Sequence, residues 1–437
     1  MSNQLPEAFL DRVRKQLGDE LPAFLSAMAE EAVRGIRYNP LKHEGMTACP
    51  NGREPIPWEE NGYFLAGGET PGITIWHEAG AFYLQDPAAM IPVNVLKPQP
   101  GERILDLCAA PGGKSTQIGA AMRGEGRLIC NEPVPKRAMI LSRNLERMGV
   151  ANATVVCAMP EMLVKKWPEG FDAVLADVPC SGEGMFRREP AARDEWSPEQ
   201  AEGCAERQRG ILEAAARMVR PGGRLVYSTC TFNPAENEEN IQWFIRNNPE
   251  WHTEAFALPG ISGADGMFTC WPHRTRGEGQ FAALLRRDGD RTVHMETDAS
   301  VPKAGKQEIR MLRDMLPELP EATHMIGNTL VYMPEFPDVK GIKVYRLGMH
   351  LAEIKGKHMV PDHAAAYYAC QVGVQHTELL PDAALKYMAG EQVEGNENGW
   401  TVVCCKGMPL GWGKGSSGVV KNHYPKGLWN GRLVVSG

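Results

Sequence analysis

Short apolar runs alternate with segments of helical periodicity between residues 86 and 287, and this alternation is the strongest constraint on the fold. The apolar runs are RILDLC (103–108), GRLICNE (126–132), ATVVC (153–157), FDAVLADV (171–178), GRLVYSTC (223–230) and GQFAALLRR (279–287). Helical stretches at 114–122, 135–148 and 199–219 lie between them. This pattern predicts βαβ units and a doubly wound, mostly parallel sheet of the α/β class. Ligands of such sheets bind beyond the carboxyl ends of the strands, so the residues after each run are the candidate site.

The segments on either side of this region have a different pattern. Two short helices are predicted before residue 30, split by Gly18 and Pro22, and only turns and short strands are predicted from Tyr38 to Gly80. Polar and small residues indicate a linker, and short strands with Gly and Pro turns follow it. We therefore predict domains at 1–88, 89–290 and 309–437 joined by a linker at 291–308, in keeping with a length of 437 residues.

Composition argues against several classes of protein. No apolar run reaches the ~18–20 residues that a membrane span requires, and the N-terminus lacks the pattern of a signal peptide, so a cytoplasmic protein is expected. The 11 cysteines include no CxxC pair and no histidine cluster at zinc-ligand spacing. Neither a disulfide scaffold nor a metal site is therefore predicted.

A glycine-containing turn follows the first strand of the predicted sheet. In the segment Asp106-Leu-Cys-Ala-Ala-Pro-Gly-Gly-Lys-Ser115, Gly112 and Gly113 allow a sharp turn and a close approach to the N–H groups of the next helix. The segment predicts a nucleotide-like ligand. An NTPase is a rival hypothesis because VLAD (174–177) resembles the second motif of an ATPase, but Cys108 stands where a Walker A loop requires its first glycine.

Further polar or nucleophilic side chains follow the later strands. Glu132 ends the second strand, where a carboxylate can accept both hydroxyl protons of a ribose, with capping of the next helix as the alternative. Cys180 follows Asp177 after one strand, and Cys230 follows another. Most cysteines of an intracellular enzyme are small buried hydrophobes, but two thiols on the ligand side of neighbouring strands indicate chemistry. The other nine cysteines are expected to be structural.

The segments DLCAAPGGKS, DVPCSGEG and VYSTCTFNPAENE, in this order, resemble the motifs of the Sun/Nop family of S-adenosylmethionine-dependent RNA (cytosine-5) methyltransferases. GIRYNPLK (35–42) and CWPHRTRGEGQFAALLRR (270–287) resemble further elements of that family, and the similarity covers about residues 5–290. The C-terminal region resembles that of bacterial small-subunit ribosomal RNA methyltransferases whose last module is PUA-like. The resemblance implies a Rossmann-like catalytic domain, a small N-terminal α+β domain and a β-rich, PUA-like C-terminal region.

The resemblance also implies roles for individual residues. Cys230 would be the nucleophile that adds to C6 of cytosine, Asp177 would meet the N3 and amine edge, and Cys180 would assist product release. The implied S-adenosylmethionine contacts are Cys108, Ala109, Ala110, Pro111, Gly112, Gly113, Lys114, Glu132, Arg137 and Asp177. Ala158 stands where the family commonly has an Asp that contacts adenine, so Glu161 or a backbone group is expected to replace that contact.

Charged residues near these motifs have more than one interpretation. Lys114 is expected either to organise Asp177 electrostatically or to touch the substrate. Asn233, Glu236 and Glu238 are expected to do no more than begin the next helix, where acids favour the N-terminal dipole.

The distribution of charge bears on the partner. The formal charge of −7 argues against a polyanion, but residues 406–437 contain five basic side chains and no acid. The basic residues are Lys406, Lys414, Lys421, Lys426 and Arg432, with Trp412, His423, Tyr424 and Trp429 among them. This mixture predicts phosphate contact and base stacking in an RNA-binding tail, with an ordinary Gly-rich β-module as the alternative. The residues expected to extend the RNA path are Arg34, Arg37, Lys42, Arg187 and Arg188.

The predicted activity is methylation of cytosine C5 in RNA by a monomeric enzyme. Small-subunit ribosomal RNA is the favoured substrate and transfer RNA the second choice, and the target base is expected to be flipped out of an unpaired or weakly paired site. An NTPase and a non-catalytic RNA-binding assembly factor are the alternatives.

Overall fold

The computed structural model of the chain describes residues 5–42, 53–290, 301–333, 336–369 and 372–435. An N-terminal unit contains helices and a three-stranded antiparallel sheet. Its elements are α1 (Glu7–Leu17), α2 (Leu21–Ala29), β1 (Gly35–Tyr38), β2 (Gly62–Phe64), α3 (Ile75–Glu78) and β3 (Phe82–Leu84). The predicted break between the first two helices is confirmed, because Gly18 ends α1 with a φ of 52°. α3 is a short helix in a segment for which the sequence predicts only turns and strands.

The central unit contains all six strands that the apolar runs predict. Its strands are β4 (Arg103–Asp106), β5 (Arg127–Asn131), β6 (Ala153–Cys157), β7 (Phe171–Asp177), β8 (Val219–Thr229), β9 (Trp251–Thr253), β10 (Phe256–Leu258), β11 (Ile261–Gly263), β12 (Met267–Cys270) and β13 (Gln280–Arg287). Its helices are α4 (Ile91–Leu96), α5 (Gly113–Met122), α6 (Pro135–Arg147), α7 (Pro160–Lys166), α8 (Pro190–Glu195), α9 (Pro198–Met218) and α10 (Glu238–Asn247). The predicted α/β class is confirmed.

The order of the strands places the site. β8, β7, β4, β5 and β6 lie side by side in this order and run parallel. One face of the sheet packs against α4, α5 and α6, and the other packs against α7, α9 and α10. Burial on both faces accounts for the continuous apolar runs. Because β4 and β7 are neighbours, the winding of the chain reverses between them, and ligands bind at such a switch point.

The C-terminal region is built mainly from strands, as predicted, and also contains three helices in its described part. Its elements are α11 (Lys306–Met315), β14 (His324–Ile326), β15 (Thr329–Tyr332), β16 (Lys343–Leu347), β17 (Met349–Lys355), β18 (His358–Pro361), α12 (His363–Ala369), β19 (His376–Leu379), α13 (Pro381–Met388), β20 (Val393–Glu394), β21 (Gly399–Cys405), β22 (Met408–Ser416) and β23 (Val419–Asn422). Four strands form the sheet β14-β15-β17-β18, and five form the sheet β19-β21-β22-β23-β20.

Antiparallel strands flank the parallel core of the central sheet on both sides. β13 pairs with β8 at one side, and β16 pairs with β6 at the other. β16 belongs to the C-terminal region, so one strand of the central sheet lies beyond the predicted linker in sequence. Among the described ranges, no helix is both long and apolar enough to cross a membrane.

Candidate active site

The turn after β4 forms one side of the site. Gly112 precedes α5 with a φ of 112°, and a Cβ added there would lie 3.2 Å from Leu141. The conformation therefore requires glycine at this position, and the packing leaves little room for a side chain. The first turn of α5 has N–H groups without carbonyl partners inside the helix, which suits a polar or anionic ligand.

A buried carboxylate lies beneath this turn. Asp106 at the end of β4 is fully buried, and its Oδ2 accepts a hydrogen bond from the Ser115 hydroxyl at 2.6 Å. Its Oδ1 has no hydrogen-bond partner among the described residues. Burial raises the pKa of Asp106 to about 7. The unused oxygen leaves acceptor capacity beside the predicted cofactor loop.

A second carboxylate follows β5. Glu132 is buried, and its Oε1 accepts a hydrogen bond from the Val134 N–H at 2.9 Å, which is the local capping role. Its Oε2 lies 3.4 Å from Nη1 of Arg137. Arg137 also donates to the carbonyl of Ala110 at 3.0 Å. Glu132 and Arg137 therefore border the same turn, where the resemblance places the cofactor.

The residue after β6 has no acidic side chain to offer. Ala158 is buried, and its N–H already donates to Oδ1 of Asn131 at 3.1 Å. Glu161, the other expected adenine contact, is solvent-exposed in the first turn of α7. The Ala158 N–H is thus committed within the protein rather than available to adenine.

Lys114 and Asp177 meet across the switch point of the sheet. Nζ of Lys114 lies 2.8 Å from Oδ2 of Asp177, and Oδ1 of Asp177 accepts hydrogen bonds from the Ser228 hydroxyl and, at 3.4 Å, from Gln280 Nε2. Burial works to lower the pKa of Lys114, but the attraction to Asp177 and its hydrogen bond, together with Cys230 and Asp106, outweigh burial and leave that pKa raised. The expected electrostatic contact between Lys114 and Asp177 is therefore present.

Cys180 and Cys230 lie side by side. β7 and β8 are in parallel register, with Asp177 opposite Ser228, so the loops that follow them leave the sheet together. The two Sγ atoms are 3.2 Å apart, and the Cys230 N–H donates to Sγ of Cys180 at 3.3 Å. The contact with Cys230, together with burial, raises the pKa of Cys180 well above its usual value. Cys180 therefore keeps its proton, and its thiol faces that of Cys230.

The remaining cysteines are placed differently. Burial raises the pKa of Cys108, whose thiol is therefore unreactive, as expected of a residue that contributes its backbone to the turn. All nine cysteines within the described ranges are free, and Cys49 and Cys370 lie outside those ranges.

Family models match most of the chain. Residues 93–286 match the 16S rRNA methyltransferase RsmB/F, and residues 5–87 match the N-terminal domain of 16S rRNA methyltransferase RsmF. Residues 310–367 match the RsmF rRNA methyltransferase first C-terminal domain, and residues 374–429 match the methyltransferase RsmF PUA domain. Ribosomal RNA small subunit methyltransferase F of Klebsiella pneumoniae is 32% identical over 97% of this chain and 96% of its own. The chain belongs to the RsmB/F family.

Solved structures share the fold of this RsmB/F-family methyltransferase. A methyltransferase homolog from Pyrococcus horikoshii is 26% identical with a TM-score of 0.57, over 65% of this chain and 96% of its own. NSun6 from Pyrococcus horikoshii with SFG, at 22% identity, has a TM-score of 0.57 over 65% of this chain and 99% of its own. The predicted Rossmann-like methyltransferase fold is confirmed, as is the PUA module.

S-adenosylmethionine is the cofactor of the RsmB/F family, and the residues of this chain fit it. Oδ1 of Asp106, which has no partner among the described residues, and the buried Glu132 carboxylate would be acceptors for its ammonium and hydroxyl donors. The glycine turn before α5 lets a ligand approach the backbone closely. Residues 108–114, Glu132 and Arg137 would hold the cofactor at this place.

One residue of the RsmB/F-family site has a larger role than its sequence position predicts. Glu236 is fully buried two residues before α10, and its carboxylate accepts hydrogen bonds from the Ser181 N–H and from Gln208 Nε2, both at 2.9 Å. The interpretation of Glu236 as a mere helix-start acid is therefore wrong. Glu238 does begin α10, and Asn233 makes a local turn by accepting from the N–H two residues later. The sequence does not indicate that Glu236 contacts Ser181, because Ser181 lies on the distant loop after β7.

The N-terminal domain of the methyltransferase holds the loop that follows Cys230. Arg12 and Gln16 of α1 both donate to the Phe232 carbonyl, at 3.2 and 3.0 Å. Arg12 also pairs at 2.5 Å with the buried Glu183, which follows Cys180. α1 therefore braces both cysteine loops, a role that its amphipathic pattern alone does not indicate.

Three of the basic residues expected to extend the RNA path of the methyltransferase are buried, so that expectation is wrong for them. Arg37, at 1% exposed, donates to buried groups near α5, and Lys42 is 4% exposed. The Arg187 guanidinium pairs with the buried carboxylate of Glu278 at 2.7 Å. Arg188 is exposed and remains available to a polyanion. Sequence does not distinguish the neighbours Arg187 and Arg188, because burial depends on the partner that the fold supplies.

The PUA module of this RsmB/F-family enzyme presents its basic residues as predicted, but not all its aromatic ones. Lys406, Lys414, Lys421, Lys426 and Arg432 are exposed. Trp412 and Tyr424 are 1% and 3% exposed and belong to the core, so the expectation that they stack on bases is wrong. Trp429 is 45% exposed. The exposed ring of His423 packs against Trp400, with ring centroids 4.5 Å apart.

Proposed function

We propose that this enzyme methylates C5 of cytosine in the RNA of the small ribosomal subunit, with Cys230 as nucleophile. The observation that carries the proposal is the pair of thiols, 3.2 Å apart, beyond neighbouring strands at the ligand side of the sheet. Bound S-adenosylmethionine supplies an electrophilic methyl group. The residues of the chain must make C5 nucleophilic, because an unactivated cytosine carbon does not attack a methyl group.

Cys230 activates the ring by adding to it. A bond from Sγ of Cys230 to C6 moves electron density to C5, which then takes the methyl group. The Lys114 ammonium is close enough to Cys230 for the two to interact electrostatically. Asp177, oriented by Lys114 and Ser228, faces N3 and the exocyclic amine; it passes a proton to N3 as negative charge develops on the ring and takes that proton back when the C6–S bond breaks.

Cys180 serves the release of the product. After methyl transfer, C5 bears both a proton and the new methyl group. The C5 proton leaves to water, its electron pair restores the C5–C6 double bond, and the C6–S bond breaks with its pair on Sγ of Cys230. Cys180, 3.2 Å away and protonated, donates its proton to the departing sulfur and is reprotonated by solvent.

A basic row on the PUA module supports the contact with RNA. Trp400 lies opposite Lys414, and Lys414 lies opposite Lys421, across three adjacent strands. Two like charges directly opposite each other destabilise a sheet, so their retention favours an anionic ligand. Burial lowers the pKa of His423, and Lys414, Lys355 and Lys421 lower it further, which keeps its ring neutral for stacking against a base.

We further propose that the enzyme acts in the cytoplasm as a monomer. The nine described cysteines are free, which suits a reducing compartment. The cytosine has to leave its stack to reach Cys230, at a cost of a few kcal/mol, which favours an unpaired target.

The test is transfer of labelled methyl groups from S-adenosylmethionine to unmodified small-subunit RNA, free or in assembled subunits, with transfer RNA as the rival substrate. Wild-type protein should label cytosine C5, and Cys230→Ala should give no product. Cys180→Ala should give an RNA adduct that survives denaturation. Label on transfer RNA alone would overturn the substrate assignment, and full activity of Cys230→Ala would overturn the mechanism. Hydrolysis of ATP without methyl transfer would support the rival NTPase.

A further inference from the structure

We propose that Glu236 is a positioning residue that holds the Cys180 thiol against Cys230 for the release step. The inference rests on the function proposed above and assigns a further residue to it. Glu236 does not reach the predicted substrate, and it acts through the loop that carries Cys180. Its carboxylate is fully buried beneath that loop.

The contacts of Glu236 converge on the residue after Cys180. The Ser181 N–H donates to Oε2 of Glu236 at 2.9 Å, and the Ser181 hydroxyl donates to Oε1 in a short hydrogen bond. Both bonds fix the backbone on which the Cys180 side chain is mounted. A thiol so close to its neighbour depends on that backbone, because a 1 Å displacement would break the contact with Cys230.

A second layer fixes Glu236 in turn. Gln208 on α9 donates to Glu236 at 2.9 Å and to the carbonyl of Pro179 at 3.0 Å. Gln208 therefore also fixes the peptide group just before Cys180. The Tyr227 hydroxyl donates to Gln208 Oε1 at 3.0 Å. The peptide groups on both sides of Cys180 are thus tied to one buried network.

The same network reaches the second cysteine loop. The Ser181 hydroxyl lies 2.9 Å from the hydroxyl of Thr231, the residue after Cys230. Ser181 therefore links the two loops, and Glu236 holds Ser181. Such a connection couples the separation of the two thiols to a single carboxylate.

The groups around Glu236 favour a negatively charged acceptor at this position. Three donors point at the Glu236 carboxylate: the N–H and O–H of Ser181 and the amide of Gln208. A glutamine there would replace the short, charge-assisted hydrogen bond from the Ser181 hydroxyl with a neutral one in which that hydroxyl accepts, and it would hold the loop less tightly. The negative charge also helps to keep the proton on Cys180.

The experiment compares Glu236→Gln with wild type and with Cys180→Ala on small-subunit RNA. We expect single-turnover methyl transfer to be retained, turnover to fall on the order of 10-fold to 100-fold, and an RNA adduct to accumulate, because a displaced Cys180 fails in release. Glu238→Gln is the matched control, since this acid lies two residues later and contacts Thr269 instead. Its turnover should equal that of wild type. The double variant Glu236→Gln with Cys180→Ala should trap no more adduct than Cys180→Ala alone.

The outcomes separate this inference from the proposed function. If Cys180→Ala traps an adduct and folded Glu236→Gln turns over like wild type, the role of Glu236 is refuted and the proposed function stands. A folded Glu236→Gln that loses single-turnover methylation without an adduct also refutes it. If no adduct forms in Cys180→Ala, the proposed mechanism itself fails. Should Glu236→Gln not fold, Ser181→Ala removes the hydroxyl with its contacts to Glu236 and Thr231 but keeps the N–H bond to Glu236, and its adduct accumulation or normal turnover decides the question.

Discussion

The thiol pair and the basic row of the PUA module are built in opposite ways. Around Cys180 and Cys230 the polar groups are buried and share partners, so that one side chain orients several others. In the basic row, Lys414 and Lys421 are exposed, and the Lys414 ammonium lies 5.4 Å from the centre of the Trp400 ring on the surface of the sheet. Changes at the buried centre should therefore be large and non-additive, whereas changes on the exposed row should be small and additive.

Lys114→Met provides the strongest test of the buried side of this comparison. The substitution leaves Asp177 without its cation in a largely buried setting and removes the positive charge near Cys230. We expect the single-turnover rate of methyl transfer to fall by about 10²–10³-fold, as when a preorganised electrostatic group is lost. Quench-flow measurement with labelled S-adenosylmethionine at saturation separates this effect from weaker cofactor binding.

Lys165→Met is the matched control for this experiment. Lys165 is an exposed lysine in the last turn of α7, so its loss should leave the single-turnover rate unchanged. A Lys114→Met rate within about twofold of wild type would mean that the contact with Asp177 has no part in the chemistry. A loss of about 1.4 kcal/mol in transition-state stabilisation would already slow the reaction tenfold.

Arg187→Met and Arg188→Met test burial itself, at adjacent positions. The Arg187 side chain is 3% exposed and pairs with Glu278, which is 2% exposed, so its removal leaves an uncompensated buried carboxylate. We expect Arg187→Met to lower the free energy of unfolding by about 3–5 kcal/mol. Arg188 is exposed, and its substitution should change the free energy of unfolding by at most about 0.5 kcal/mol. Equal effects in urea unfolding would contradict this difference between neighbours.

Much of the fold and part of the site follow from sequence because they depend on local patterns. Apolar runs predict β4 to β8, since a strand buried on both faces needs apolar residues throughout. Polar and nucleophilic residues follow the carboxyl ends of these parallel strands, so the sequence predicts that they meet at one edge of the sheet. In the structure, Lys114 contacts Asp177 and Cys180 contacts Cys230 at that edge. No comparable local signal marks β16, because its partner β6 lies almost 200 residues earlier.

The parts that sequence did not predict depend on distant partners. Glu236 resembles any acid near a helix start until the fold brings Ser181 and Gln208 to it. Trp412 and Tyr424 stand among lysines like stacking residues, yet each is buried inside the PUA module. Sequence reveals which residue types are present, and burial decides which of them meet solvent.

The double variant Lys414→Ala with Lys421→Ala tests the exposed row and should have the smallest effect. Removing two phosphate contacts should lower RNA affinity modestly and reduce the slope of log affinity against log salt by about 1.4, at roughly 0.7 per contact for single strands. Because the two lysines lie directly opposite each other, their loss should also raise the free energy of unfolding by about 0.2–1 kcal/mol. Titration of RNA at several salt concentrations and urea unfolding measure the two effects.

The matched control is Lys306→Ala with Lys340→Ala, which removes two exposed lysines elsewhere and should change neither the salt slope nor the free energy of unfolding. An unchanged salt slope in the Lys414 and Lys421 variant would show that RNA binding does not use this row, whatever happens to stability.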